Sequence, residues 1–535
     1  MSLARTYAIA LNGLDGNVVE VEADIAAGLP VFVLIGLPDA VLGEARKRVV
    51  AAAVNSGCPV TQRKLTVNLS PAALRKQGSA FDLAIAIAAL AAAGDVPSES
   101  AQRVVHLGEL GLDGRVRPVP GILPAVVAAR AAGFGLVMVP ADNAEEARLV
   151  EGIEVTGVAS LRDAAIWHGS DLEPVEPDPA PRMKPIAGDR ETSSELDMAE
   201  VVGNDDAVDA LVVAAAGGHH VSLLGPPGAG KTMLAARLPG ILPDLTDEQA
   251  LEVTSIRSLA GVKISGELIR RPPFEAPHHT ASPTSLVSGG STRIVPGAIV
   301  RASHGVLFLD EAAEFRAGVL DALRQPLESG SITIHRMVGT ATFPARFQLV
   351  LASNPCPCGL YGSSDAECSC TPIVRRRYLA KLSGPLLDRV DIRLTVRRLG
   401  LAALRGASEP AGRGVNAAAH GDRREGDEGG GMMARNSLAL RAKVCEARGI
   451  AAERLGGTPW TRNADVPGSW LRDRAHRLPP AVTASLDRAL ERGGLSMRGY
   501  DRTLRLAWTI ADLDNASVPT ATHLGSALYL RRGIS

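Results

Sequence analysis

Val221-Ser222-Leu223-Leu224-Gly225-Pro226-Pro227-Gly228-Ala229-Gly230-Lys231-Thr232 decides how this chain folds. The first four residues read as a short buried strand. The next eight fit G-x-x-x-x-G-K-[ST] and run into the helical pattern Met233 to Leu238. Gly225, Gly228 and Gly230 let backbone N–H groups turn inward and cradle phosphate oxygens at a helix N-terminus, with Pro226, Pro227 and Ala229 completing the loop. Lys231 supplies a point charge for the β- and γ-phosphates, and Thr232 a hydroxyl for Mg²⁺. A Gly/Pro-rich turn before an ordinary helix is the bland alternative, but strand, loop and helix together favour a site for ATP and Mg²⁺.

Further strands extend the pattern. Val306-Leu307-Phe308-Leu309 is apolar at every position, as in a strand buried on both faces, and it ends in Asp310-Glu311. Asp310 stands where Mg²⁺ is held, and Glu311 where an attacking water is polarised. A third run, Gln348 to Ala352, leads to Ser353-Asn354, whose amide can orient that water or meet the γ-phosphate. The intervals between Lys231, Asp310 and Asn354 exceed one helix plus loop, so an insertion is expected before each of the two later strands. The second contains Ser331 to Arg336, a turn at Gly339 and Ala341 to Phe347, which reads as a projecting β-hairpin.

Composition bounds the rest. With 46% hydrophobic and 21% charged residues over 535 positions, wholesale disorder and fibrous repeats are excluded. Basic residues number 57 against 58 acids, so nucleic-acid binding would need local patches. The longest apolar run, Leu83 to Ala93, falls short of a bilayer span, and Met1 to Gly13 shows no secretory pattern. With six cysteines in all, a cytoplasmic, reducing setting and no membrane partner are expected.

Two breaks divide the chain: an acidic, Pro-rich linker at 171–200 and a Gly-rich insertion at 401–435, both expected to be disordered or extended. Between them lie an α/β region at 1–170, a parallel-sheet α/β region at 201–400 and a helical bundle at 436–535.

Cys356-Pro-Cys358 and Cys368-Ser-Cys370 straddle a short polar loop directly after Asn354. Four thiolates can complete a tetrahedral Zn²⁺ site, which would be structural because no coordination position stays open. C-x-C is tighter than the usual C-x-x-C, and reduced thiols or an oxidation-sensitive pair remain alternatives. The adjacent imidazoles of His278 and His279 are expected to diverge, giving them a structural or pore-facing role.

The sequence resembles the AAA+ ATPases of the magnesium-chelatase-like YifB/ComM family in Gly203 to Leu211, Leu224 to Leu234, Ala276 to His279, Pro296-Gly297, His304 to Glu311, Phe343 to Gly359 and Leu382 to Ile392. Asn204 departs from the family's Gln. The resemblance implies a helical lid at 436–535 and inserts of the helix-2 and pre-sensor-1 hairpin types, directed into the pore of a ring, most often a homohexamer. It also implies that Arg389 is an arginine finger for a neighbouring subunit and Arg498 a sensor-2 arginine. Gly108 to Gly133 and Lys76 to Ala88 resemble a Lon-protease-like domain. Leu123 stands where Lon has its lysine, and Ser79 is outside the nucleophile's context, so the domain is read as non-proteolytic, for assembly or nucleic-acid binding.

Three functions follow from the resemblance. One is a DNA motor for branch migration in recombination, with His335 and Arg336 on the hairpin meeting DNA and recombination proteins as partners. A second is a metal-insertion motor of the magnesium-chelatase type, against which stands the added amino-terminal domain. A third is a protein-remodelling regulatory ATPase, which the polar hairpin tip disfavours.

Overall fold

The computed structural model describes residues 2–36, 39–60, 64–74, 76, 78–175, 196–289, 294–336, 339–362, 367–398 and 435–532. Most of the acidic linker, from 176 to 195, and the Gly-rich stretch 399–434 lie outside the described residues.

The phosphate-loop strand Val221–Leu224 sits inside a five-stranded sheet. The order across it is Phe274–Glu275, Val306–Leu309, Gln348–Ser353, Val221–Leu224, Ile392–Thr395, and every pairing is parallel. Val306–Leu309 and Gln348–Ser353 are buried at every position because helices cover both faces, which is why they read as unbroken apolar runs. Parallel pairing puts the carboxyl ends of the three central strands side by side, and with them the loops that follow. The interval before Val306 folds as a short strand, a helix Pro283–Val287, a small ribbon and a helix Ala298–Arg301. The interval after it forms the antiparallel hairpin Ser331–Arg336 and Gly339–Pro344, its second strand stopping at Pro344 rather than Phe347. Ile332, Ile334, Ala341 and Phe343 bury one face of that hairpin.

The amino-terminal region carries a separate mixed sheet of seven strands, in which Ser2–Asn12 and Asp15–Ala26 form a long antiparallel hairpin. The apolar run of the sequence becomes the helix Asp82–Ala93, buried nearly all round against that sheet. The turn at Gly13, with φ +70°, approaches the second hairpin so closely that a Cβ there would lie 2.9 Å from the Thr342 carbonyl oxygen. Only glycine fits this junction without displacement.

From Ser437 onward the elements among the described residues are all helices, and the longest, Ser437–Arg454 and Met497–Leu513, share a core with the five-stranded sheet. A buried polar network pins them to it. Asp391, 1% exposed, accepts from the His220 N–H at 3.1 Å and pairs with Arg502 of the helix Met497–Leu513. Burial alone would raise the Asp391 pKa, but Arg502 and the imidazoles of His219 and His220 together hold it well below the carboxylate range. A depressed folded-state pKa stabilises above the unfolded value, near 4, and that contribution is lost as pH falls from there. Asp391→Asn is therefore expected to cost about 3 kcal/mol at neutral pH, measured by urea unfolding, with the gap from wild type closing below about pH 4. A gap independent of pH would show that the carboxylate charge is not what holds this junction.

Candidate active site

The phosphate-binding loop leaves the sheet at Leu224 and closes with Gly228 and Gly230 at φ +75° and +89°, the latter capping the helix Lys231–Ile241. Gly225 is held by steric need as well: its N–H donates to Ser353 O at 3.1 Å, and a Cβ would stand 2.3 Å from Val396 O. Lys231 is 8% exposed, and its Nζ donates to Gly225 O at 2.6 Å, Pro226 O at 3.0 Å and Asn354 Oδ1 at 3.1 Å. Desolvation lowers its pKa, opposed by the charges of Asp310 and Glu311. The Thr232 hydroxyl donates to Asp310 Oδ2 at 2.7 Å. Asn204, the departure from Gln, still reaches the loop, donating through Nδ2 to Ala229 O at 3.4 Å.

Thus Gly225 to Thr232, Asp310, Glu311 and Asn354 meet at the carboxyl ends of the three central strands. Glu311 adopts φ +52°, a left-handed conformation that a residue with a Cβ rarely takes. Such strain, of order 1–3 kcal/mol, concentrates where a side chain must be aimed. His279 Nδ1 lies 3.2 Å from Glu311 Oε2, a contact the sequence reading missed. The expected divergence of the two imidazoles is also corrected. The rings of His278 and His279 lie against each other, centroids 4.2 Å apart and tilted by 33° between planes. Nothing in the spacing of His279 and Glu311 along the sequence would have found this pair.

The donor set suits a nucleotide with Mg²⁺. A glycine loop at a helix N-terminus, a desolvated lysine and a Thr hydroxyl beside a carboxylate match triphosphate oxygens and a hard cation.

Models of magnesium chelatase, subunit ChlI, match residues 197–404, those of subunit ChlI of Mg-chelatase residues 21–143, and the ChlI C-terminal model residues 434–531. The chain is 48% identical over 535 residues to an uncharacterised protein of Mycobacterium tuberculosis, covering 99% of both. It is 39% identical to the competence protein ComM of Haemophilus influenzae, covering 99% of this chain and 98% of that protein. The uncharacterised protein YifB of Escherichia coli is 36% identical, with 99% and 97% covered. The chain belongs to the magnesium-chelatase-like YifB/ComM family.

Two arginines that the YifB/ComM resemblance singled out lie elsewhere. Arg389 and Arg498 both flank Asp388, which precedes the strand Ile392–Thr395. Because that strand runs parallel to Val221–Leu224 in register, Asp388 lies toward the amino ends of the strands, whereas the phosphate loop leaves their carboxyl ends. The strand alone spans about 10 Å between those ends. Arg389 donates to Pro385 O at 2.6 Å and pairs with Glu328. Arg498, with a largely exposed side chain, lies 3.5 Å from Asp388 Oδ2. Neither therefore joins this copy's own site.

His335 is exposed on the projecting hairpin, its Nδ1 3.1 Å from Thr340 Oγ1, and Arg336 ends the same strand. In the amino-terminal sheet region, Leu123 is fully buried and its N–H donates to Glu146 Oε1 at 3.2 Å. Ser79 is paired with Glu109, and the buried Lys76 Nζ donates to Pro71 O at 2.6 Å and Leu74 O at 3.2 Å. Among the described residues, no helix is long and apolar enough to cross a membrane.

Proposed function

We propose that this protein is a ring-forming AAA+ ATPase that uses ATP hydrolysis to move along or remodel DNA, in the manner expected of a branch-migration motor. The observation that carries the ATPase reading is the convergence of Lys231, Thr232, Asp310, Glu311 and Asn354 at the carboxyl ends of the central strands.

In this reading Lys231 and the loop amides bind and orient the triphosphate, and Lys231 exchanges loop carbonyls for phosphate oxygens. Glu311 takes the proton from the attacking water, with Asn354 orienting it. Thr232 and Asp310 would hold Mg²⁺, which neutralises phosphate charge when bound. Arg389, lying toward the amino ends of its own sheet's strands, serves the site of the next copy, with Arg498 beside it. That division of labour implies a closed ring, taken as a homohexamer, with residues 436–535 as the lid and 1–170 as a non-proteolytic Lon-like domain.

DNA as the substrate is supported by the hairpin's polar His335 and by a cleft of about 480 Å³ lined by Arg472, Arg474 and Arg477. The name of one relative, competence protein ComM, accords with this reading, and recombination proteins are the partners it suggests for this chain. The metal-insertion alternative rests on the chelatase-type family models, one of which matches residues 21–143, yet the magnesium-chelatase 38 kDa subunit of Rhodobacter capsulatus aligns with 32% of this chain against 99% for ComM.

The test is steady-state ATPase rate with single-stranded, duplex and branched DNA at two salt concentrations. Stimulation by DNA that weakens as salt rises is the expected result, because bound cations are released from the backbone when basic side chains replace them. A normal basal rate that no DNA changes would sink the DNA reading and favour protein partners.

A further inference from the structure

We propose that Cys356, Cys358, Cys368 and Cys370 form a tetrathiolate Zn²⁺ site that straps the phosphate-binding loop to the arm carrying Arg389. All four Sγ atoms lie within 4.8 Å of one another. Cys356 Sγ is 3.3 Å from Cys358 Sγ and 3.6 Å from Cys368 Sγ, and Cys358 Sγ is 3.6 Å from Cys368 Sγ. A tetrahedron with Zn–S bonds near 2.3 Å has edges of about 3.8 Å, close to these separations. A disulfide would need about 2.05 Å, and it joins sulfurs in pairs, whereas here three of them are mutually adjacent. All four are free thiols. The tightness of C-x-C is met by a turn in which Gly359, at φ +79°, donates its N–H to Cys356 O at 2.9 Å.

The surroundings say what such an ion would do. Cys356 follows Asn354 by two positions, and Asn354 accepts from Lys231. Gly359 packs on the phosphate loop so closely that a Cβ would stand 2.7 Å from Pro227. On the other side, Cys370 adjoins Thr371, the N-cap of the helix Pro372–Leu379. Arg375 of that helix lies 3.8 Å over the ring of Tyr361, which belongs to the cysteine loop. The same helix leads through Lys381, 3.5 Å from Glu314, to the segment bearing Arg389. One ion therefore joins the element touching this copy's phosphates to the element aimed at the neighbour's. The Zn²⁺ site stands whether or not DNA is the substrate.

The test starts with metal analysis of the full-length protein purified in zinc-replete, reducing buffer. About one Zn²⁺ per chain is expected. Cys368→Ser/Cys370→Ser should fall to trace levels, while Cys58→Ser/Cys445→Ser keeps its metal. Cobalt substitution of the unmutated protein should give thiolate-to-metal charge-transfer bands and strong tetrahedral visible absorption, a readout that survives if the variant misfolds. Wild type free of zinc and without cobalt–thiolate bands, or with Cys356–Cys358 recovered as a disulfide, would overturn the site. The strap predicts that the zinc-free double variant, with its helical circular dichroism intact, loses about tenfold in affinity for a fluorescent ATP analogue. Unchanged affinity would overturn the strap.

Discussion

Replacing Arg389 by alanine is expected to lower ATP turnover by about 10³–10⁵-fold while leaving nucleotide binding close to wild type. Arg389 lies at the other end of the strands from Lys231 of its own copy, so removing it strips no contact from the bound nucleotide of that copy. What disappears is a positive charge for the developing negative charge at a neighbour's γ-phosphate. The Arg389 side chain is 12% exposed and its partner Glu328 60%, so losing the pair and the bond to Pro385 O costs about 1–3 kcal/mol, and thermal unfolding of the variant checks that the fold is kept. Steady-state kinetics paired with fluorescence titration of a nucleotide analogue separates the two effects. An alanine variant that turns over at the wild-type rate would remove Arg389 from the chemistry.

Glu311→Gln is expected to bind ATP and assemble normally but to hydrolyse it about 10²–10⁴-fold more slowly. Gln keeps the shape and the hydrogen-bonding capacity toward His279, yet it cannot take a proton. Because Lys231, Thr232 and Asp310 are untouched, the loss should appear in kcat and spare the affinity for ATP. Single-turnover mixing reads this directly. Hydrolysis at the wild-type rate would mean that Glu311 does not activate the water, and that its left-handed backbone serves packing alone.

Much of the sheet was legible because local physics and global fold agree there. Val306 to Leu309 is apolar at all four positions, which only a strand covered on both faces tolerates, and it is buried at all four. Glycines at Gly228 and Gly230 stand where the backbone takes positive φ. The hairpin's alternation, Ile332 and Ile334 inward with His335 outward, is period two and was readable as such. What escaped depends on three-dimensional closure. His279 meets Glu311 in a contact that no periodicity encodes. Arg498 comes from a distant segment to meet Asp388 beside Arg389, and only the register of Ile392–Thr395 fixes at which end of the strands they stand. The proximity of all four thiols depends likewise on the turn at Gly359, not on the C-x-C spacing.

If each ATP site is completed by a second copy of the chain, mixing two inactive variants will show it. Lys231→Ala cannot engage the triphosphate, and Arg389→Ala cannot finish a neighbour's site, so each alone should be nearly inactive. Combined in equal amounts, about a quarter of the head-to-tail interfaces would pair an intact Lys231 with an intact Arg389. The account predicts that ATPase activity reappears on mixing and rises as the ratio approaches one to one. If the mixture stays as inactive as its components while forming mixed assemblies, the shared site is wrong.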